Sequence, residues 1–270
     1  MKTLLICHDG AQLDQVVLAR WLASFSNLVG VVIIQEPPIR VWRRLQREIQ
    51  RIGILRFLDV VALRLYYRVF LATKDRNWEQ QELRRKCSIY KEVPSDTAIL
   101  RTPSPNSQET EIFIRSLNPD IVLARCKVIL KESIFSIPAK GTFAMHPGIC
   151  PEYRNAHGCF WALANGDRDR VGMTLLRIEK GVDTGPPFGY YSYPFDEARE
   201  SHIVIQYRVV LENLDVLRQK FLEIFDVAAA PVNISGRKSA AWGQPWMSKY
   251  LRWKARARRE AREGRLSSLS

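Results

Sequence analysis

The sequence predicts an α/β fold: a mostly parallel sheet flanked by helices, with a basic helical insertion and a basic C-terminal tail. Three observations predict it. The chain opens with an apolar run at residues 3–7, a stretch of helical periodicity at 12–25 and a second apolar run at 28–34. A β-α-β opening implies parallel strands joined by a right-handed crossover. The same rhythm returns between residues 98 and 146. Between these halves, and again at the end, arginines interleave with apolar residues at helical spacing, a pattern that does not fit a sheet strand. The expected organisation is a sheet domain built from residues 1–36 and 92–227, an amphipathic insertion at 37–91 and a tail at 228–270.

Length and composition bound the function. The 270 residues fit one α/β domain with additions, and a 46% hydrophobic fraction is enough for a sizeable core. The formal net charge of +13 points to an anionic partner, either a nucleotide-linked small molecule or the anionic face of a membrane. Cys7, Cys87, Cys126, Cys150 and Cys159 show no metal-ligand spacing, so no metal is expected. Their odd number argues against a disulfide framework and for a reducing, cytoplasmic location. The opening apolar segment is too short for a secretory leader.

In order, residues 3–7 read as the first strand, and His8, Asp9 and Gly10 as the turn after it. Residues 12–25 form a helix and 28–34 a second strand. Pro37 and Pro38 end that pattern. Arg40, Arg43, Arg44, Arg47 and Arg51 then alternate with Val41, Trp42, Leu45, Ile49 and Ile52, and residues 55–71 continue apolar with Arg56, Arg64 and Arg68 spaced through them. Such a face packs on the domain or lies on an anionic membrane, and its arginines exclude a spanning segment. Residues 98–101 are a strand, 107–117 a helix opened by Ser107 with Glu109 and Glu111 in its first turn, and 120–124 a strand. Residues 131–137 read as a helix, 158–166 as a helix carrying core aromatics Phe160 and Trp161, and 186–195 as an antiparallel edge. Residues 201–225 read as one long amphipathic helix, and the final arginine-rich run as a frayed cationic helix.

Chemistry concentrates between residues 142 and 185. His146 ends an apolar run and is followed by Pro147 and Gly148, so it falls at the carboxyl end of a strand, where ligands sit in open α/β sheets. Residues 171–178 form a neighbouring strand, after which a turn through Gly181, Asp183 and Gly185 is expected to bring a carboxylate back to the histidine. The pair suits acid/base work.

This stretch resembles the signature of the 10-formyltetrahydrofolate-dependent formyltransferases. The matching residues are His146, Pro147, Gly148, Pro151, Tyr153, Arg154, Trp161, Ala162, Asn165, Gly166, Gly172, Thr174, Asp183, Thr184 and Gly185. The resemblance implies a Rossmann-like formyltransferase fold. It implies 10-formyltetrahydrofolate as co-substrate, His146 and Asp183 as catalytic residues, and an amine acceptor. It further implies that Arg125, Cys126 and Lys127 hold the pterin and that Gly148, Ile149, Cys150 and Pro151 line the folate.

Three positions depart from the family pattern: Leu176 stands where several relatives carry His, Asn155 where most carry Gly and, most important, Ala144 where the family has the Asn of Asn-x-His. Losing an oxyanion donor typically costs about a hundredfold to a thousandfold in rate. Asn155, His157 and Asn165 are candidate replacements. Alternatives are therefore a weak or silent relative that binds without turnover, or a hydrolase of formyl-folate. A Cys150 nucleophile lacks a base. The stretch after Phe225 is not strand-patterned, so no further barrel is expected. An amino-sugar nucleotide or a lipid-linked amine is accordingly preferred to charged tRNA, and nucleic-acid binding is not expected.

Overall fold

Alternation along the first strand, β1 (Lys2–His8), decides the layering. Leu4 and Ile6 face one side, Leu5 and Cys7 the other, and all four are completely buried. A strand buried on both faces lies inside a sheet with helices on each side. The computed structural model describes residues 1–37, 46 and 48–267, with side chains as far as residue 263. Arg40, Arg43, Arg44 and Arg47, with Val41, Trp42 and Leu45, lie outside the described residues.

After β1 comes α1, a π-helical segment at Leu13–Leu18 continued by an α-helical one at Ala19–Ala23, and then β2 (Asn27–Ile34). The insertion contributes α2 (Ile54–Tyr66) and α3 (Ala72–Ile89), joined through a π-helical stretch at Tyr67–Leu71. Next are β3 (Ala98–Thr102), α4 (Gln108–Leu117), β4 (Ile121–Arg125), the short α5 (Glu132–Phe135) and β5 (Gly141–His146). Then follow α6 (Gly158–Asn165), β6 (Met173–Arg177), β7 (Pro187–Tyr191), α7 (His202–Leu211), α8 (Leu214–Phe225) and α9 (Met247–Ser267).

The sheet has seven strands in the order β3-β2-β1-β4-β5-β6-β7. Pairings from β3 through β5 are parallel, whereas β5-β6 and β6-β7 are antiparallel. Strand order reverses between β1 and β4, which makes their carboxyl ends the crevice of the fold. One core packs Leu5, Cys7, Leu123, Phe143 and Met145 against α1, α6, α7 and α8, and the other packs Leu4, Ile6 and Val122 against α4 and α5. Ser107 caps α4 as expected, its side chain accepting from the Thr110 N–H.

Three expectations need correction. The helix expected at 131–137 is confined to Glu132–Phe135. The long helix expected at 201–225 is two, α7 and α8, broken at Glu212 and Asn213. Apolar spacing continues across the break through Leu211 and Leu214, but the polar groups do not: Asn213 Nδ2 donates to the Val209 carbonyl, and the buried Lys86 ammonium donates to the Leu211 carbonyl. A cation on the last carbonyls of a helix terminates it favourably. The final run is not frayed at its start, because α9 buries Tyr250 and Trp253 in the main core.

Insertion and tail meet each other. Both oxygens of Asp59 on α2 cap α9, accepting from the Ser248 N–H at 2.9 Å and its hydroxyl at 2.5 Å, and Tyr66 packs on Tyr250. Trp253 donates its indole N–H to Glu197 at 2.7 Å and carries the Lys254 ammonium 4.2 Å over its ring. Trp253→Ala should therefore cost about 3–5 kcal/mol, through the cavity and the stranded carboxylate. The check is a lowered urea midpoint at unchanged slope; a shift worth under about 1 kcal/mol would mean the tail is peripheral to the core.

Candidate functional site

β5 ends at His146, and the antiparallel register sets the buried Thr174 of β6 directly opposite it. The Thr174 hydroxyl donates to the Gly148 carbonyl at 2.6 Å and accepts the Cys150 N–H at 2.9 Å, which clamps the turn after the strand. Gly148 also packs backbone to backbone on Gly158, where an added Cβ would sit 2.5 Å from the Gly148 Cα. The chain folded in this way brings the Tyr153 carbonyl to 2.8 Å from His146 Nε2. A carbonyl only accepts, so Nε2 is the protonated nitrogen. Nδ1 then faces Asp183, 3.4 Å from Oδ2.

Asp183 returns through the loop after β6, as expected, although β6 itself ends away from His146. His146 and Asp183 do lie on neighbouring strands' connections, but β6 runs antiparallel and ends beside Phe143, far from His146 along the strand. The loop after β6 carries the carboxylate back. Its base closes where the Arg177 N–H donates to the Pro186 carbonyl and Gly185 packs so tightly on the Arg177 carbonyl that no Cβ fits. Its tip is tied where Arg154 donates to the Val182 carbonyl and the Asn155 N–H donates to Asp183 Oδ2, both within 2.9 Å. His146 is buried and Asp183 partly open.

The residues that the resemblance implies for the folate also make contacts within the protein. Arg125 is a buried strut, ion-paired to the buried Asp14 at 3.2 Å and donating to the Met145 carbonyl at 2.6 Å. Burial opposes its charge, yet Asp14, Tyr207 and Cys126 together outweigh burial and its pKa is raised. It therefore braces β5 one residue before His146. Cys126 turns its thiol to the Val128 carbonyl, and burial pushes it up to about 11. Lys127 is exposed and gives its backbone N–H to His8. Gly148, Ile149, Cys150 and Pro151 are all buried. Polar groups of this loop serve Thr174, Tyr153 and Tyr190, so the loop holds the histidine in place. Burial, with Asp183 nearby, pushes the Cys150 thiol up to about 12, which removes it as a nucleophile.

At the main departure from the family pattern, Ala144 sits opposite Leu176 with no side-chain donor to offer. Of the candidate replacements, Asn155 gives its amide to the Trp242 carbonyl and Asn165 interacts with the Tyr153 hydroxyl. His157 remains; it lies at the left-handed residue before α6, with Nδ1 3.3 Å from the Gln206 amide. Sequence reasoning missed Asp14, the carbonyl of Tyr153 and His202, whose ring lies 6.1 Å from that of His157. Two surface clefts, of about 330 and 240 Å³, touch neither His146 nor Asp183.

Burial, aided by Lys127 and Arg64, lowers the His157 pKa from 6.5 to about 4. The unfolded chain therefore binds a proton below pH 6.5 that the folded chain refuses until about pH 4, so stability is present above 6.5 and lost as pH falls through 4. His157→Gln should flatten the fall of the urea midpoint across that window; an unchanged slope would contradict the assignment.

Comparison with known proteins places the family and the fold. Residues 67–210 match the family described as formyl transferase. A methionyl-tRNA formyltransferase of Thermotoga neapolitana is 32% identical over 129 residues, which is 44% of this chain and 40% of the relative. The chain thus spans less than half the length of that relative. Among solved structures, a sugar N-formyltransferase from a Shewanella species superposes with a TM-score of 0.54 at 14% identity, covering 90% of this chain and 77% of that one. A phosphoribosylglycinamide formyltransferase from Anaplasma phagocytophilum superposes at 0.53 and 12%, covering 91% and 99%. These likenesses show the fold. With more than half of its residues inside the matched region, His146 and Asp183 among them, the chain belongs to the formyl transferase family.

Proposed function

We propose that this protein transfers a formyl group from 10-formyltetrahydrofolate to an amine, that His146 and Asp183 are its catalytic residues, and that the acceptor is a small anionic molecule such as an amino-sugar nucleotide. The observation that carries this reading is the convergence of His146 Nδ1 and Asp183 Oδ2 at 3.4 Å, within a segment of family pattern. The net charge of +13 supports an anionic acceptor. The Shewanella neighbour named as a sugar N-formyltransferase fits it too, as a likeness of fold.

The folate supplies an activated formyl carbon. Attack by the amine forms a C–N bond, and the bond to the folate nitrogen breaks; the amine loses one proton and the leaving nitrogen gains one. Nδ1 of His146 is the site's proton carrier, because Nε2 is held by the Tyr153 carbonyl. The Asp183 carboxylate stabilises the imidazolium, and its second partner, the Asn155 N–H, fixes its direction. Ala144 stands where the family resemblance implies a side-chain donor, so either His157 takes that place or turnover is slow.

The test is incubation with formyl-folate and a set of amino-sugar nucleotides, following tetrahydrofolate release and the mass of the formylated amine. His146→Ala should lower turnover by about a hundredfold or more. Ala144→Asn should raise it by at least about tenfold. Formate released without any amine would assign a hydrolase, and folate binding with no turnover in either protein would assign a silent relative.

A further inference from the structure

The insertion presents an exposed apolar surface. α2 turns Val60 and Leu63 into the protein, while Ile54, Leu58, Leu65 and Val69, spaced four, seven and four residues apart, stand more than half exposed. That spacing places them on one helical face. Leu55 and Phe70, also more than half exposed, widen it. On α9, docked against α2 through Asp59 and Ser248, Leu251 is 50% exposed. Single exposed apolar residues are ordinary, but a continuous ridge on one element marks an interaction surface. The same two helices carry cations. Arg68, just after α2, and Arg252 and Arg258 on α9 are exposed and have no carboxylate partner among the described residues.

We propose that this α2–α9 face docks on an anionic lipid surface, lying in the interface with its apolar ridge among the acyl chains and its arginines against the headgroups. The choice of occupant follows from charge. A second copy would bring the same arginines to the contact within a chain of net charge +13, whereas acidic lipid supplies the opposite sign. No helix among the described residues is long and apolar enough to cross a membrane, so the contact is peripheral. Apolar insertion and basic attraction together are the two signals that stable interfacial binding requires.

The experiment is sedimentation of the full chain with vesicles of phosphatidylcholine alone or mixed with phosphatidylglycerol, at low and high salt. The protein should pellet with the mixed vesicles, less so at high salt. Leu58→Asp with Val69→Asp should weaken this by about tenfold or more, as should Arg252→Glu with Arg258→Glu. Retained circular dichroism and urea midpoint would show that these exposed changes leave the fold intact. Absence from both pellets, or equal binding to both vesicles, overturns the proposal. So does a dimer, seen by light scattering, that the two aspartates dissociate without any vesicle binding.

Discussion

The site depends on one buried hydroxyl. Thr174, set across from His146 by the antiparallel register, donates to the Gly148 carbonyl and accepts from the Cys150 amide. The two bonds hold a turn whose other wall is the Gly148–Gly158 contact, and the turn delivers the Tyr153 carbonyl to His146 Nε2. None of these contacts is chemical in the catalytic sense. Together they decide which imidazole nitrogen keeps its proton and which one faces Asp183. Arg125 and Asp14 support the same strand from the other side, through the Met145 carbonyl.

Much of the fold was legible because it rests on local periodicity. The apolar runs at β1, β2, β4 and β5 alternate into two cores, and Ser107 announces α4 by its own hydroxyl. His146 and Asp183 were legible as well, one from the strand-to-loop signal and the other from the glycines that shape its turn. What stayed hidden was decided by partners distant in sequence. The ion pair of Arg125 with Asp14, 111 residues earlier, leaves no mark in the local pattern. The break between α7 and α8 is invisible in the apolar pattern because Lys86, 125 residues away, caps Leu211. Trp253 sits in an arginine-rich run that composition alone would leave in solvent.

The segments outside the matched family region are structurally tied to it. α9 is capped by Asp59 of the insertion and anchored by Trp253 on Glu197, and Arg64 reaches Gln244 just before α9. Insertion and tail thereby close over α6, which carries the buried Phe160 and Trp161 beside the turn after His146. A change in either segment has a covalent and packed route to the ground below His146, while the outward face of α2 remains free of that duty.

The central claim is the orientation of the His146 imidazole. Nitrogen-15 correlation spectra of selectively labelled histidine, followed across a pH titration, report the two ring nitrogens separately. The account predicts that the neutral His146 ring carries its proton on Nε2, against the Tyr153 carbonyl, and leaves Nδ1 bare toward Asp183. A His146 whose Nε2 becomes the bare nitrogen at high pH would contradict it.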